Sequence, residues 1–85
     1  MSYSASVSIH SPVAANAELE RRIVAYLASR NFLSFRRLVV RASQGVVSLN
    51  GRLGSYYERQ VAIESARRVA GATRIVDRMV VDVVN

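Results

Sequence analysis

The stretch from Leu38 to Val83 constrains the fold most, because its hydrophobic period switches from two to helical and back. Each switch carries its own boundary signal. Val46-Val47-Ser48-Leu49-Asn50-Gly51 alternates at the two-residue period of a half-buried strand. Ser55-Tyr56-Tyr57-Glu58 has the spacing of a capping box, which fixes where the following helix begins. Gly71 stands where a C-terminal cap belongs, and Ile75 to Val83 resumes the period of two. Agreement at every level specifies one small domain of mixed class, α+β.

The remaining elements follow from the same signals. Strand one is expected over about Arg37 to Ala42, with Leu38, Val40 and Ala42 on one face and Arg37, Val39 and Arg41 on the other. Ser43-Gln44-Gly45 reads as a hairpin turn, Gly45 giving a permissive backbone. Strand two, about Val46 to Leu53, places Val47, Leu49, Gly51 and Leu53 on the core face. Gly51 inside a strand predicts a bulge or a helix packed against bare backbone. The second helix, Tyr56 to Ala70, presents Ala62, Ala66 and Val69 at helical spacing, small enough to sit close over Gly51. Strand three is expected to bury Ile75, Met79, Val81 and Val83.

Upstream, a first helix is expected from about Ala17 to Arg30, with Asn16 as N-cap and Glu18 and Glu20 in its first turn. Leu19, Ile23, Tyr26 and Leu27 form its core stripe, and Asn31 is its stop. Phe32, Leu33 and Phe35 read as an apolar connection closing one end of the core. Residues 2–10 alternate Ser and His with apolar residues, the pattern of an extra N-terminal edge strand or a partner-dependent arm. Residues 1–15 are therefore assigned to an arm and 16–85 to the domain.

Connection lengths give the topology. Strands one and two pair antiparallel across a tight turn; strand two, helix two and strand three form a βαβ unit with parallel strands. The expectation is αββαβ: a mixed three-stranded sheet with both helices on one face. The other face would carry Arg37, Val39, Arg41, Val46, Ser48, Asn50, Arg52, Val76, Arg78, Val80 and Asp82. Such a valine and arginine face suits a homo-oligomer interface or a docking surface.

Composition excludes several function classes. The chain has no cysteine, hence no disulfide, thiolate metal site or cysteine nucleophile. His10 is the only histidine, so neither a triad nor a histidine pair can form, and no cofactor or metal is expected. No apolar run approaches the ~20 residues that span a bilayer, so no transmembrane segment is expected. The start lacks the cationic and apolar segments of a secretory leader, which leaves open both a cytoplasmic site and an envelope site reached after processing. All twelve basic residues are arginine and the net charge is +6, which favours anionic partners.

From Gly45-Val46-Val47-Ser48-Leu49-Asn50-Gly51-Arg52-Leu53, through Glu58-Arg59, Ala62, Ala66, Val69 and Gly71-Ala72, to Ile75, Met79 and Val81, the chain resembles a BON domain. This small module is named for bacterial osmotically induced and nodulation proteins. The structural positions of the motif are Gly45, Val47, Leu49, Gly51, Ser55, Glu58, Ala62, Ala66 and Gly71. Ala72, Asp77 and Met79 depart from the pattern's usual Val, Asn and Leu. The resemblance implies an αββαβ fold and a non-enzymatic role in binding phospholipid membranes or envelope proteins, often in the periplasm. On that basis Arg21, Arg22, Arg30, Arg36 and Arg37 are candidate contacts for anionic phospholipid, with Phe32 and Phe35 as interfacial aromatics. Assembly through the valine-rich face or the N-terminal strand is the alternative. Gly51-Arg52-Leu53-Gly54 also spells the G-x-x-G of KH-type RNA clamps, but between a strand and a helix rather than two helices; nucleic acid is the least favoured partner.

Overall fold

A computed structural model describes residues 12–71 and 73–82, with side chains from Asn16 onward. The order is α1 (Pro12–Ala28), a 3-10 helix (Leu33–Arg37), β1 (Val39–Ser43), β2 (Val46–Leu53), α2 (Tyr56–Ala70) and β3 (Arg74–Val81). The strands form one sheet in the order β1-β2-β3, antiparallel between β1 and β2 and parallel between β2 and β3. The expected α+β architecture is thus present. The alternating segment 2–10 lies outside the described residues.

Both helices lie on one face. Ile23 and Leu27 of α1 and Val61, Ala62 and Ala66 of α2 share a single core with Val40, Ala42, Val47, Leu49, Leu53 and Met79. Burying side chains of the size of Ile23, Leu27, Leu49 and Leu53 contributes about 1.5–3 kcal/mol each. The alanines let α2 approach the sheet, and the pleat sends alternate strand residues to the other face. That face is uncovered among the described residues: Val39 is 46% and Val80 53% exposed.

Several boundaries differ from the sequence reading. Helix α1 begins at Pro12, whose fixed φ and missing N–H suit a first turn, so positions 12–15 are helical and Asn16 lies inside the helix. Glu18 and Glu20 consequently sit beyond the first turn. Glu18 accepts from Arg21, and Glu20 accepts the Ala42 backbone N–H at 2.8 Å. At the other end Asn31 takes φ +65°, the left-handed stop expected of it. Strand β1 starts at Val39 because Leu33–Arg37 coils into a 3-10 helix, which removes Arg37 from the sheet. The hairpin turns through Gln44 and Gly45, both with positive φ (51° and 77°), as a two-residue turn matched to strand twist requires.

Gly51 performs a different task from the one expected. A Cβ there would lie 2.7 Å from Leu38 Cδ2 and 3.4 Å from Leu38 Cα, and no atom of α2 is among its nearest neighbours. The bare backbone of β2 makes room for Leu38, the residue that joins the 3-10 helix to β1. Its φ of +145° independently favours glycine.

Glu58 binds the domain's corner. Ser55 Oγ accepts the Glu58 N–H at 3.1 Å, as a capping box requires. The return bond is displaced by one residue, because Glu58 Oε1 accepts from Gly54 N at 3.2 Å. The same oxygen accepts from Ser34 Oγ at 2.6 Å, tying the 3-10 helix to the β2–α2 turn. On α2, Gln60 donates to Glu64 along the helix at 3.1 Å. Arg59 crosses to Asp77 of β3, its Nε donating at 2.5 Å.

Two stability outcomes follow. Gly51→Ala should cost about 1–3 kcal/mol from the positive φ and the Leu38 contact together. In a Leu38→Ala background that cost should shrink, measured by denaturant unfolding of the four proteins of the cycle. Glu58→Ala removes the acceptor of two donors and should cost about 1–2 kcal/mol. Glu58→Gln, which keeps a carbonyl acceptor, should recover at least half of that loss in the same measurement.

Candidate functional site

The end of the domain where the 3-10 helix meets the β2–α2 turn gathers the most unusual surface. Phe32, in extended backbone, leads into the 3-10 helix, and Phe35 is buried, with its ring 4.8 Å from that of Phe32. This pair anchors the segment in the core. With about three residues per turn, anchoring Phe35 turns Leu33, Arg36 and Arg37 outward. Leu33 is 77% exposed, so it does not close the core as the sequence suggested.

Three guanidinium groups converge there. Arg36, Arg37 and Arg52 line one open cleft of about 610 Å³ together with Leu33 and Ser34. Arg52 comes from the end of β2 and bonds Asp82 Oδ2 at 3.1 Å, both side chains being exposed. Among the described residues, Arg36 and Arg37 have no carboxylate partner.

The start of α2 adds exposed aromatic surface. Tyr56 and Tyr57 open α2 and are 68% and 67% exposed. Tyr57 meets Phe32 edge-on with centroids 6.1 Å apart, and Glu58 holds Ser34 beside them. Phe32 is half-buried and Phe35 is buried, closing this end of the core, so the large exposed rings here are those of Tyr56 and Tyr57. The available signal was positional. Tyr56 and Tyr57 precede the stripe of Ala62 and Ala66 in the first turn of the helix, where α2 has not yet reached the sheet.

The other arginine candidates lie elsewhere. Arg21 donates to Glu18 at 2.5 Å on the surface of α1. Arg22 borders a shallow groove with Tyr26 and Val69. Arg30 lines a cleft of about 250 Å³ between α1 and α2, with Tyr57, Glu64 and Arg68. Of the five arginines, then, only Arg36 and Arg37 come together, and Arg52 completes their group. Among the sheet-face residues, Val39, Arg41, Val46, Arg52, Arg78 and Val80 do share the open face, by strand alternation; Arg37 does not. Gly51, Arg52 and Leu53 are strand residues, with Leu53 buried, so G-x-x-G forms no clamp loop between helices here.

Among the described residues no group of three His, Cys, Asp or Glu side chains could hold a metal ion, and no helix is long and apolar enough to cross a membrane. A comparison with the curated proteins finds none that matches. The BON domain family model matches residues 15–83, and such domains are generally non-catalytic binding modules associated with the cell envelope. With the αββαβ order in place and the match running from α1 through β3, this chain belongs to the BON domain family.

Proposed function

We propose that this domain is a peripheral binder of anionic phospholipid surfaces in the cell envelope, seated by the end that carries Leu33, Tyr56 and Tyr57. The observation that carries the reading is the exposed Leu33 among three clustered arginines, with Tyr56 and Tyr57 exposed at the start of α2. Tyrosine and leucine favour the boundary between headgroup and acyl chain, while arginine pairs bidentately with phosphate. Neither half suffices alone. The leucine and tyrosines supply contact that salt does not screen, and the arginines select negative headgroups.

Each arginine near an anionic surface contributes about 1 kcal/mol, and every 1.4 kcal/mol is tenfold in affinity. Arg36→Glu with Arg37→Glu should therefore weaken binding to phosphatidylglycerol vesicles by at least roughly 30-fold. Leu33→Ser with Tyr57→Ser should weaken it too, but with little change in salt dependence. Vesicle co-sedimentation at two salt concentrations measures both. Equal retention on phosphatidylglycerol and phosphatidylcholine vesicles would refute the proposal, as would full binding by the doubly charge-reversed protein.

A further inference from the structure

The open face of the sheet has an order of its own and shares only Arg52 with the proposed lipid-facing end. Across the strand register, Val39 lies opposite Asn50 and Arg78, and Arg41 lies opposite Ser48 and Val76. The next pairings on the same face are Val46 with Arg74 and Arg52 with Val80. Each of these four rows holds one arginine and one valine, with only Ser or Asn beside them. Successive rows stand about 6.6 Å apart, twice the rise per strand residue. All four arginines are exposed, and among the described residues Asp82 beside Arg52 is the face's one acid.

We infer that this face docks an extended acidic polypeptide segment with carboxylates at alternate positions. Such a segment has the same ~6.6 Å repeat. Each Glu can lay its methylene stem on a row's valine and extend its carboxylate to that row's arginine. Arg74, Arg41 and Arg78 alternate between the outer strands, so a segment laid along β2 lies about 4.8 Å to the side of each, a displacement their long side chains can span.

Other occupants fit less well. A second copy packed face to face would set arginine rows against arginine rows, with only one Asp82 on each side. Residues 1–11, Met-Ser-Tyr-Ser-Ala-Ser-Val-Ser-Ile-His-Ser, contain no carboxylate side chain. Nucleic acid lacks a stacking platform, since none of the residues in these rows is aromatic. Addition of a strand at the sheet edges meets the chain's own carboxylates. Glu20 takes the Ala42 N–H on β1, and Asp77 Oδ1 takes the Met79 N–H at 2.9 Å on β3. Arg74 N–H bonds Gly45 O and Asp82 N–H bonds Leu53 O, so even-numbered N–H groups of β3 face β2 and that of Met79 faces the outer edge.

The test uses a fluorescein-labelled octapeptide alternating Glu and Thr, read by anisotropy. A control has the same composition with its four Glu contiguous. The alternating peptide should bind more tightly than the control. Arg41→Glu with Arg78→Glu should weaken it by roughly 10-fold, while Arg36→Glu with Arg37→Glu leaves it within about twofold. Both residues of the face pair are exposed, so unchanged thermal melting should confirm folding, and Arg41→Gln with Arg78→Gln should repeat the loss more mildly. Equal binding of the two peptides, or undiminished binding by the face variants, would overturn the inference. So would a face pair that lost vesicle binding, which would make this a lipid surface, or self-association by light scattering that the face pair abolished. Loss of vesicle binding in the Arg36 and Arg37 variant alone bears on the lipid proposal and leaves this one standing.

Discussion

The carboxylate of Glu58 is the constraint on which the exposed end depends. One side chain accepts from Gly54 at the close of β2 and from Ser34 in the 3-10 helix, while its own N–H is held by Ser55. These bonds tie the 3-10 helix to the turn between β2 and α2. The 3-10 helix is too short to be stable alone, since helix formation has a costly nucleus. It is ordered from below by Phe35 and from the side by Ser34. Only then do Arg36 and Arg37 share one cleft with Arg52, on a different element, and Phe32 meet Tyr57.

Most of the fold was legible because its signals were local. The alternation of Val46 to Leu53, the Ser55 cap and the helix to Ala70 each depend on neighbours within a few residues, and the helix bounds agree to the residue. The failures involved choices made by tertiary contact. Nothing near Leu33 in sequence says that Phe35, two residues on, takes the core position and leaves the leucine in water. Gly51 was rightly identified as a glycine with a packing task, but the partner was out of reach: strand pairing brings Leu38 to it, thirteen positions away in the chain. The Asn16 cap failed for a different reason. An arm over residues 1–15 puts the helix start at Asn16, although Pro12 is at home in a first helical turn.

The site was half legible for the same reason. Arg36 and Arg37 were recognised as cations, while Arg52 was assigned only to the sheet face, because its place at the end of β2 gives it both neighbourhoods. The four rows on that face are a property of register, which sequence alternation cannot supply. Alternation says which residues share a face; only the pairing of Val39 with Asn50 and of Asn50 with Arg78 says which stand side by side. Arg74 was missed on the same ground, as it begins its strand where a boundary error removes it.

The two proposed surfaces are compatible because of where the strands end. The proposed lipid-facing end is built from the last residues of β2, the first turn of α2 and the 3-10 helix, so a domain seated there has β2 running towards the membrane. Its open face then stands upright beside the bilayer and is not pressed into it. Salt-screened attraction falls off over about 8 Å at physiological ionic strength. Arg74 and Arg41, towards the far end of the strands, are therefore beyond the strongest pull of the headgroups. Arg52 alone belongs to both surfaces, and Asp82 holds it between them. Lipid binding that drew Arg52 from Asp82 would leave that carboxylate uncompensated at the end of the face and weaken an acidic partner in the adjoining row. The two ligands would then oppose each other through a single guanidinium, and by thermodynamic reciprocity the acidic segment would loosen the lipid contact to the same degree.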